Sequence, residues 1–589
     1  MERRVFIAIL LSFSVLYAYQ AFLAPPPLAP QVQQVAPVPS DRPATEGSTG
    51  QIEANSPIQA AQLNLAPAVS EVASGVEALI TETGGREITV ETRAIEAVFS
   101  NVGGRVLHWR LKGYRDPSGA QVDLVPSSLS ADQPAPFSLR VQDSVVTRRL
   151  NSAIYRATGD RGGRVDATRS AASLVFEFED SSGLKVRKEF SFEPASYVVR
   201  FSAAVNRGPM VINPTILFGP GLSDAGALAA GGSYFTGNAV QPPEGIVNRN
   251  GEVERLAATQ VTATPTHDGP FKFAGVDDHY FAWLALNPGA SRVEFGAVTQ
   301  PGPGDATRAF VSHAISYPEP PSGARFFIGP KRFDQLQAAD AEMVRAINFG
   351  IFAVVVVPLL NSLKWLHGYV GNYGWAIIAL TIIINLAMFP LRHKSTVAMR
   401  KMQSVQPRMK AIQDRYAHLK MTDPGRQKMQ TEVAALYKEE GVNPASGCVP
   451  MLLTMPVLLA FYALLSQAIE LRGEPFVGWI QDLSTPDPRY VLPVLMGVTM
   501  FWQQKITPAA MDPTQQRVMM IMPVMFTAMM LFSPSGVVLY WFVSNVWTIG
   551  QQYFTNWLIG PPVVPSKSGA ARSIKAAGAG RTAGAQRIE

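Results

Sequence analysis

The chain has 589 residues, a formal net charge of +6, 47% hydrophobic residues and only 16% charged residues. That length exceeds one domain and the apolar bias is unusual for a soluble protein, so we expect several domains with membrane segments. The single cysteine, Cys448, excludes an intramolecular disulfide and a cysteine cluster for zinc or iron–sulfur. The seven histidines lack the i, i+4 spacing of a metal site on a helix, so we expect no metal and no cofactor. The positive charge lies in loops beside apolar segments, which indicates anionic lipid as a partner rather than DNA.

The first predicted element is an N-terminal transmembrane anchor at residues 1–24. Arg3 and Arg4 precede an apolar run from Val5 to Ala24, and about 20 apolar residues span a bilayer. A cleaved signal peptide is the alternative, but its apolar core is usually shorter, about 7 to 15 residues. The prolines directly after Ala24 favour a helix stop. The two arginines keep the N-terminus in the cytoplasm, so the segment that follows is exported.

The exported part begins with a linker and continues as a β-domain. Residues 25–75 are rich in Pro, Ala, Gln and Ser without a stable period, which predicts an extended linker. Residues 76–335 alternate apolar and polar side chains, which predicts a periplasmic antiparallel β-sandwich domain. Three strands are expected at Leu174–Phe178, Leu184–Phe192 and Tyr197–Val205, with a turn at Asp180–Gly183.

Asp277, Asp278 and His279 form the densest acidic cluster of this β-domain. A pair of carboxylates would suit acid–base chemistry on a sugar. We favour a solvated turn between strands instead, because no second carboxylate cluster is identifiable from the sequence. We therefore assign the domain no catalytic residue and expect that the protein is not an enzyme.

Residues 336–372 are predicted as an amphipathic helix that lies in the membrane–water interface on the exported side. They contain an apolar stretch from Ile347 to Leu363, interrupted by Pro358. If this stretch and the next apolar segment both crossed the membrane, the strongly basic hairpin that follows would lie outside. Cationic loops are retained on the cytoplasmic side, so the stretch is expected to lie along the membrane.

Residues 373–560 form the predicted helical core, which crosses the membrane five times. With the anchor this gives an α-helical polytopic membrane protein of six spans, with both termini in the cytoplasm. A basic cytoplasmic hairpin, residues 392–447, divides at Asp423-Pro424-Gly425, and a basic cytoplasmic tail occupies residues 561–589. The predicted spans of the core are Tyr373–Leu391, Val449–Ile469, Tyr490–Gln503, Val518–Leu531 and Val537–Tyr553.

The predicted spans hold no acidic residue, but they hold many neutral polar residues. Thr381 and Asn385 are one turn apart and therefore share a helix face. Hydrogen bonding between helices is one interpretation of such residues; a partly hydrated groove inside the bundle is the other. The remaining polar residues of the spans are Thr454, Ser466, Gln467, Thr499, Gln503, Thr527, Ser544, Asn545 and Thr548.

The first helix of the hairpin has methionines at helical spacing, among them Met399, Met402 and Met409. Packing between the two hairpin helices explains an apolar face of this kind. Thioether side chains also adapt to varied apolar partners. We therefore predict that these three methionines contact apolar segments of binding partners.

Four strings in the C-terminal third resemble the core of the YidC family of bacterial membrane protein insertases. The resemblance implies a five-helix core around a hydrophilic groove, a hairpin that receives clients, and a periplasmic super-sandwich domain largely dispensable for insertion. Members insert and help fold nascent inner-membrane proteins, alone or with the SecYEG and SecDF translocon components, and the ribosome is a candidate partner of the basic hairpin and tail. The strings are Val442–Pro450, Met455-Pro456, Leu492–Met500 and Pro534–Asn545.

By position, the resemblance places Thr381 and Trp541 where the family has groove residues that contact substrate, with Thr454 and Met496 nearby. Family members typically carry an arginine four residues after the threonine, where this chain has Asn385. Arg392 lies seven residues further along, on nearly the same helix face and about 10 Å nearer the cytoplasm. Two interpretations stay open: Arg392 replaces the groove cation, or it is an ordinary residue flanking the span.

Two alternatives come from other classes of protein. A membrane-anchored periplasmic carbohydrate-binding or mutarotase-like module would place function in the β-domain. A solute transporter would need a coupling-ion site, but the spans lack carboxylates and no inverted repeat is apparent.

Overall fold

The computed structural model describes most of the chain from residue 77 to residue 560. The predicted anchor, linker and basic tail lie outside the described residues. The chain divides into a unit of residues 67–510 and 521–589, which holds every element below, and a unit of residues 1–66 and 511–520. The described ranges are 77–116, 118–126, 133–222, 241–262, 265–301, 307–419, 423–442, 449–507 and 519–560.

The described residues between 77 and 330 form three β-sheets, whose strands are numbered here in chain order. The largest sheet has eleven strands: β1 (Ala78–Ile80), β7 (Arg156–Thr158), β9 (Ala172–Asp180), β10 (Leu184–Phe192), β11 (Val198–Arg207), β12 (Met210–Ile212), β14 (Glu244–Arg249), β15 (Glu252–Leu256), β17 (Phe271–Asp277), β18 (Phe281–Gly289) and β21 (Ala324–Pro330). Their order is β1-β9-β10-β11-β21-β18-β17-β14-β15, with β7 paired to β9 and β12 paired to β11.

The other two sheets have five strands each within the described ranges. The second contains β6 (Ser138–Arg140), β13 (Thr215–Pro220), β16 (Thr266–Asp268), β19 (Arg292–Pro301) and β20 (Thr307–Ser316), in the order β16-β19-β20-β13-β6. The third contains β2 (Glu87–Glu91), β3 (Ile95–Ser100), β4 (Arg105–Arg115), β5 (Gln121–Asp123) and β8 (Arg164–Asp166), in the order β5-β4-β3-β2-β8. The strands β2 and β8 pair in parallel, whereas neighbouring strands elsewhere in these sheets are antiparallel. Two short helices, α1 (Ser144–Ser152) and α2 (Ala258–Val261), lie between strands.

The three strands predicted from alternation are confirmed as β9, β10 and β11. The turn between the first two is closed by the Asp180 carboxylate, which accepts hydrogen bonds from the amides of Ser182 and Leu184. Gly183 has φ of +78°, a left-handed conformation that favours glycine. Phe190 of β10 pairs with Phe201 of β11, and both side chains point into the core. Period-two alternation therefore reports a half-buried strand correctly here.

One aromatic core joins the three sheets. The Phe190 ring of the largest sheet lies 5.1 Å from the Phe137 ring, which lies 5.2 Å from Phe218 of the second sheet. Phe99 of the third sheet lies 4.8 Å from Phe190. The opposite face of the largest sheet is also apolar, and its buried side chains belong to a second core shared with the helices. The β-sandwich is therefore packed against the helical region of the chain.

The helical region follows β21. It contains α3 (Phe333–Ala339), α4 (Ala353–Val370), α5 (Tyr373–Arg415), α6 (Gly425–Glu439), α7 (Val449–Gln467), α8 (Val491–Ile506), α9 (Met522–Met530) and α10 (Ser535–Ile559). Within the described ranges of this region, 3-10 helices lie at Ala341–Ala346, Gly350–Phe352 and Ile469–Leu471.

Two of the described helices, α4 and α5, are long and apolar enough to cross a membrane by length and composition. The side chains of Val356, Leu360 and Leu363 are buried on one face of α4, whereas Trp365 and Tyr369 are 61% and 75% exposed. This one-sided packing is compatible with a helix that lies along the interface, and that placement of α4 stays a prediction.

Helices α5 and α10 extend beyond the predicted spans. Helix α5 passes without interruption through Pro390 and Pro407, so the predicted span and the first hairpin helix are one helix of 43 residues. Helix α10 ends at Ile559, six residues after the predicted span ends at Tyr553. The sequence-based boundaries of these two spans mark where the apolar residues end, whereas the helices continue through the polar residues that follow.

The hairpin formed by the end of α5 and by α6 has its own small apolar cluster. Val405 and Ile412 of α5 are buried against Leu436 of α6, and Met402 and Met409 are partly buried at the edge of this cluster. The position of the predicted division is supported, because α6 begins at Gly425 directly after Asp423-Pro424. Packing between the two hairpin helices thus occupies part of the methionine surface.

The turn at Asp277, Asp278 and His279 is buried, so the prediction of a solvated turn is wrong. The three residues are 0%, 1% and 6% exposed. The Asp277 carboxylate accepts hydrogen bonds from the Arg255 guanidinium at 2.7 and 2.8 Å and from the Lys331 ammonium at 2.9 Å. Burial lowers the pKa of Lys331. The cluster is a buried ion network, and its aspartates are engaged in contacts that hold the fold.

The same turn connects the β-domain to the helices. The His279 Nε2 group donates to the carbonyl oxygen of Ser466 in α7 at 2.9 Å. The Arg472 guanidinium lies 5.0 Å from the Tyr280 ring centre, and the Glu470 carboxylate accepts a hydrogen bond from the Phe333 amide at 3.2 Å. These contacts form a junction between the β-domain and the periplasmic end of α7.

Glu470 makes this junction sensitive to pH. Burial raises the pKa of its carboxyl above the ordinary value of 4.5, so folding favours the protonated form. The stabilisation from the protonated carboxyl is fully present below the ordinary pKa of 4.5 and is lost as pH rises from there through the raised pKa. Glu470→Gln should remove this dependence, because the amide is neutral at every pH. Thermal unfolding of the full chain across the mildly acidic range measures both slopes, and an unchanged slope in the variant would contradict the assignment.

Candidate functional site

The described helices form an open cavity of about 510 Å³. Its walls come from α5, α7, α8 and α10, and they mix polar and apolar side chains. The polar lining residues are Asn385, Arg392, Ser395, Thr396, Gln503, Thr507, Ser544, Asn545, Thr548, Gln551 and Gln552. The apolar lining consists of Ile384, Met388, Met399, Val457, Leu458, Tyr540 and Trp541. A cavity of this kind can hold water and polar groups within an otherwise apolar bundle.

Helix α5 supplies the cation of the cavity. Arg392 is partly buried, and its Nη1 donates to the Thr548 hydroxyl of α10 at 3.1 Å. That hydroxyl donates in turn to the Ser544 carbonyl oxygen at 2.8 Å. Among the residues that the structure describes around this cavity, none of the lining side chains is a carboxylate. Arg392 therefore makes the described lining electropositive.

Two amide side chains leave acceptor oxygens unsatisfied in the cavity wall. The Asn385 side chain donates from Nδ2 to the Thr381 carbonyl oxygen at 2.8 Å, but its Oδ1 is buried without a partner. The Oε1 of Gln551 is likewise buried without a partner. Buried polar atoms are normally satisfied by protein or by ordered water. These two oxygens are thus positions where water or a client would donate a hydrogen bond.

The apolar part of the wall is fixed by aromatic packing. The Tyr540 ring of α10 stacks on Phe461 of α7 with centres 4.4 Å apart and planes 6° apart. The Trp541 ring packs edge-on against Phe526 of α9 at 4.7 Å. Aromatic pairs of this geometry hold three helices around the cavity.

The structure brings four of the predicted site residues together and leaves others outside the lining. Asn385, Arg392, Met399 and Trp541 line the cavity. Met402 and Met409 belong to the hairpin cluster described above. The roles of all these residues in client binding stay predictions.

Two further predicted groove residues, Thr381 and Met496, do not line the cavity as described. Thr381 is fully buried, and its hydroxyl donates to the Ile377 carbonyl oxygen at 2.6 Å. Met496 is also fully buried, and its carbonyl oxygen accepts from the Asn545 side chain at 3.3 Å. Thr454 lies in α7, but its side chain is outside the described part of the chain. Thr381 and Met496 thus support the wall from behind.

Sequence reasoning missed five polar lining residues near the predicted cytoplasmic ends of the spans: Ser395, Thr396, Thr507, Gln551 and Gln552. Each lies beyond the predicted end of an apolar stretch or close to it. Helical spacing could have identified two of them. Thr396 lies one turn after Arg392, and Gln552 lies one turn after Thr548, so each shares a helix face with a polar residue already noted in the sequence.

Comparisons with known proteins agree over almost the whole chain. Residues 365–560 match the family model described as 60Kd inner membrane protein, and residues 87–362 match the YidC periplasmic domain. The protein named membrane protein insertase YidC from Geobacter metallireducens is 34% identical over 579 residues, covering 94% of this chain and 98% of its own. The protein of the same name from Pelobacter propionicus is 33% identical over 592 residues, which cover 95% of this chain and 100% of its own length.

A solved structure described as an active YidC insertase with its first transmembrane domain resolved is also similar. It is 18% identical, with a TM-score of 0.33, and the match covers 81% of this chain and 94% of that chain.

Together, the β-sandwich, the apolar helices and the family matches define an inner membrane protein with a periplasmic domain. The chain belongs to the YidC family of membrane protein insertases. Neither a carbohydrate-binding module nor a solute transporter is favoured by these matches.

Proposed function

We propose that this protein inserts nascent inner-membrane proteins by receiving their polar segments in the cavity between α5, α7, α8 and α10. The observation that carries the proposal is the mixed wall of the cavity, in which a cation and two unsatisfied amide oxygens face apolar side chains. The polar groups replace part of the hydration of a client segment. The adjoining apolar side chains leave a path for its hydrophobic neighbour into lipid.

The energetics require such a cavity. A charged side chain at the centre of a bilayer costs from about 3 to above 10 kcal/mol, depending on how the cost is measured. A hydrated cavity lowers this barrier without ATP. Burial of the client's own apolar helix in lipid then supplies the driving force, at about 25 cal/mol per Å² of apolar surface.

Arg392 takes the place of a deeper groove cation in this proposal. The deeper position is Asn385, whose amide can bind water but carries no charge. Arg392 lies on the same wall of the cavity and nearer the predicted cytoplasmic end of the span. A cation at that position attracts acidic client segments, and it costs less to desolvate there than at the membrane centre.

The wider assembly is part of the same proposal. Six spans with both termini in the cytoplasm would place the basic hairpin and tail where nascent chains emerge. SecYEG and SecDF are the expected partners for clients that need the translocon, and the ribosome is a candidate partner of the basic hairpin and tail.

Site-specific photo-crosslinking tests the cavity as the client route. A photoreactive residue at Trp541 should crosslink to a small Sec-independent client during insertion, because that side chain lines the cavity. The matched control is Val546 of the same helix, which is 46% exposed and does not line the cavity. We expect several times more client adduct from Trp541. Equal yields from both positions would contradict a route through the cavity.

A further inference from the structure

The C-terminal end of α10 and the hairpin end of α5 are joined by a set of polar contacts at or beyond the ends of the predicted spans. Arg400 of α5 donates from Nη1 to the Gly560 carbonyl oxygen and from Nη2 to the Asn556 side-chain oxygen. The Gln552 amide also donates to that Asn556 oxygen, at 3.0 Å. The guanidinium group of Arg400 therefore binds both Asn556, in the last turn of α10, and Gly560, the residue that follows the helix.

The chemistry of this contact suits a clamp between two helices. The last carbonyl groups of a helix lack partners within the helix and carry partial negative charge. A guanidinium group presents several donors in one rigid plane, so it can bind a terminal carbonyl and a side-chain oxygen together. Hydrogen bonds from a charged donor are about twice as strong as neutral ones.

The contact lies directly at the edge of the cavity. Met399, the neighbour of Arg400, lines the cavity on α5, and Gln552, which binds Asn556, lines it on α10. The separation of these two helix segments sets the width of the cavity at this edge. Since α5 is continuous to Arg415, the same contact also sets the direction of the hairpin.

We propose that Arg400 is a positioning residue that clamps the hairpin end of α5 to the C-terminal end of α10, and thereby holds the cytoplasmic edge of the cavity at the width that clients require. The role in insertion rests on the proposed client route through the cavity, whereas the clamp itself does not. In this proposal Arg400 holds the two helices of the cavity wall in place, whereas the residues that line the cavity contact the client.

Distance measurement between two spin labels tests the clamp without any client. Labels are attached after Lys410→Cys and Trp557→Cys in a full chain that also carries Cys448→Ser, which removes the sole native cysteine. Lys410 and Trp557 are exposed, so labelling leaves the core intact. With Arg400 present, the distance distribution in lipid bilayers should be narrow. Arg400→Ala should broaden it, because the ratio of clamped to unclamped arrangements falls about tenfold or more when these charge-assisted bonds are removed.

Two variants separate the clamp from a general loss of charge. Lys401→Ala removes an exposed cation at the next position and should leave the distribution unchanged. Asn556→Ala should broaden it partly, and adding Asn556→Ala to Arg400→Ala should cause no further change, because both act on one contact. An unchanged distribution in Arg400→Ala would overturn the clamp.

Insertion assays on the same variants test the consequence. Arg400→Ala should lower the insertion of acidic and neutral clients alike, whereas Lys401→Ala should not. A broadened distribution with full insertion would overturn the positioning role. Because neutral clients are included, this result is independent of whether Arg392 attracts acidic segments.

Discussion

Arg392→Ala is expected to lower the insertion of clients with an acidic translocated segment roughly tenfold, since one interaction with a charged group contributes about 1.5 to 3 kcal/mol. Neutral clients should insert almost as well as with the unchanged protein. The reason is that Arg392 is the cation of the described cavity wall, and Thr548 holds its guanidinium toward the cavity. Paired clients that differ only in replacement of the acidic residues by amides measure the difference.

Two variants sharpen the Arg392 experiment. Arg392→Lys keeps the positive charge and should retain most insertion of acidic clients. Lys394→Ala removes an exposed cation two residues away and should affect both clients equally. If Arg392→Ala lowered the insertion of both clients by the same factor, Arg392 would be a structural residue, and the attraction of acidic segments would be wrong.

Asp277→Ala is expected to destabilise the β-domain by about 3 to 5 kcal/mol, because it leaves buried cations without their partner. Lys331 is 4% exposed, and its ammonium and the Arg255 guanidinium both donate to the Asp277 carboxylate. Urea unfolding of the full chain, followed by the circular dichroism of the β-sheets, measures the loss.

The matched control is Asp268→Ala, which breaks an exposed ion pair with Arg292. Exposed pairs contribute about 0 to 1 kcal/mol, so this variant should unfold at nearly the same urea concentration as the unchanged chain. Combining Asp277→Ala with Lys331→Met should recover part of the loss, because no buried ammonium remains. A loss from Asp277→Ala no larger than from Asp268→Ala would show that the network is unimportant for stability.

Local sequence patterns predicted the strands well and the ion network poorly. Alternation located β9 to β11 because burial on one face of a sheet has a period of two residues. The same reasoning failed at Asp277, because two of its partners come from β15 and from the segment after β21, far away in sequence. A charged turn carries no local mark that distinguishes a buried network from a solvated one.

The cavity shows the same limit at the level of helices. Helical spacing alone is enough to place Asn385 and Arg392 on one face of α5. It does not show which other helix faces meet that face, so Gln551 and Gln552 were missed. The boundary at Leu391 was set by hydrophobicity, whereas α5 continues because prolines at residues 390 and 407 are accommodated within it.

The uninterrupted α5 makes the hairpin a lever on the membrane-embedded part of the protein. Arg415 lies 30 residues beyond Asn385, which corresponds to about 45 Å along a helix at 1.5 Å per residue. A rotation of about 5° at Asn385 would then displace Arg415 by about 4 Å. Conversely, a force on the far end of the hairpin would deliver a torque to the cavity wall that carries Asn385 and Arg392. A displacement of the hairpin would thereby reach the cavity wall through one continuous helix.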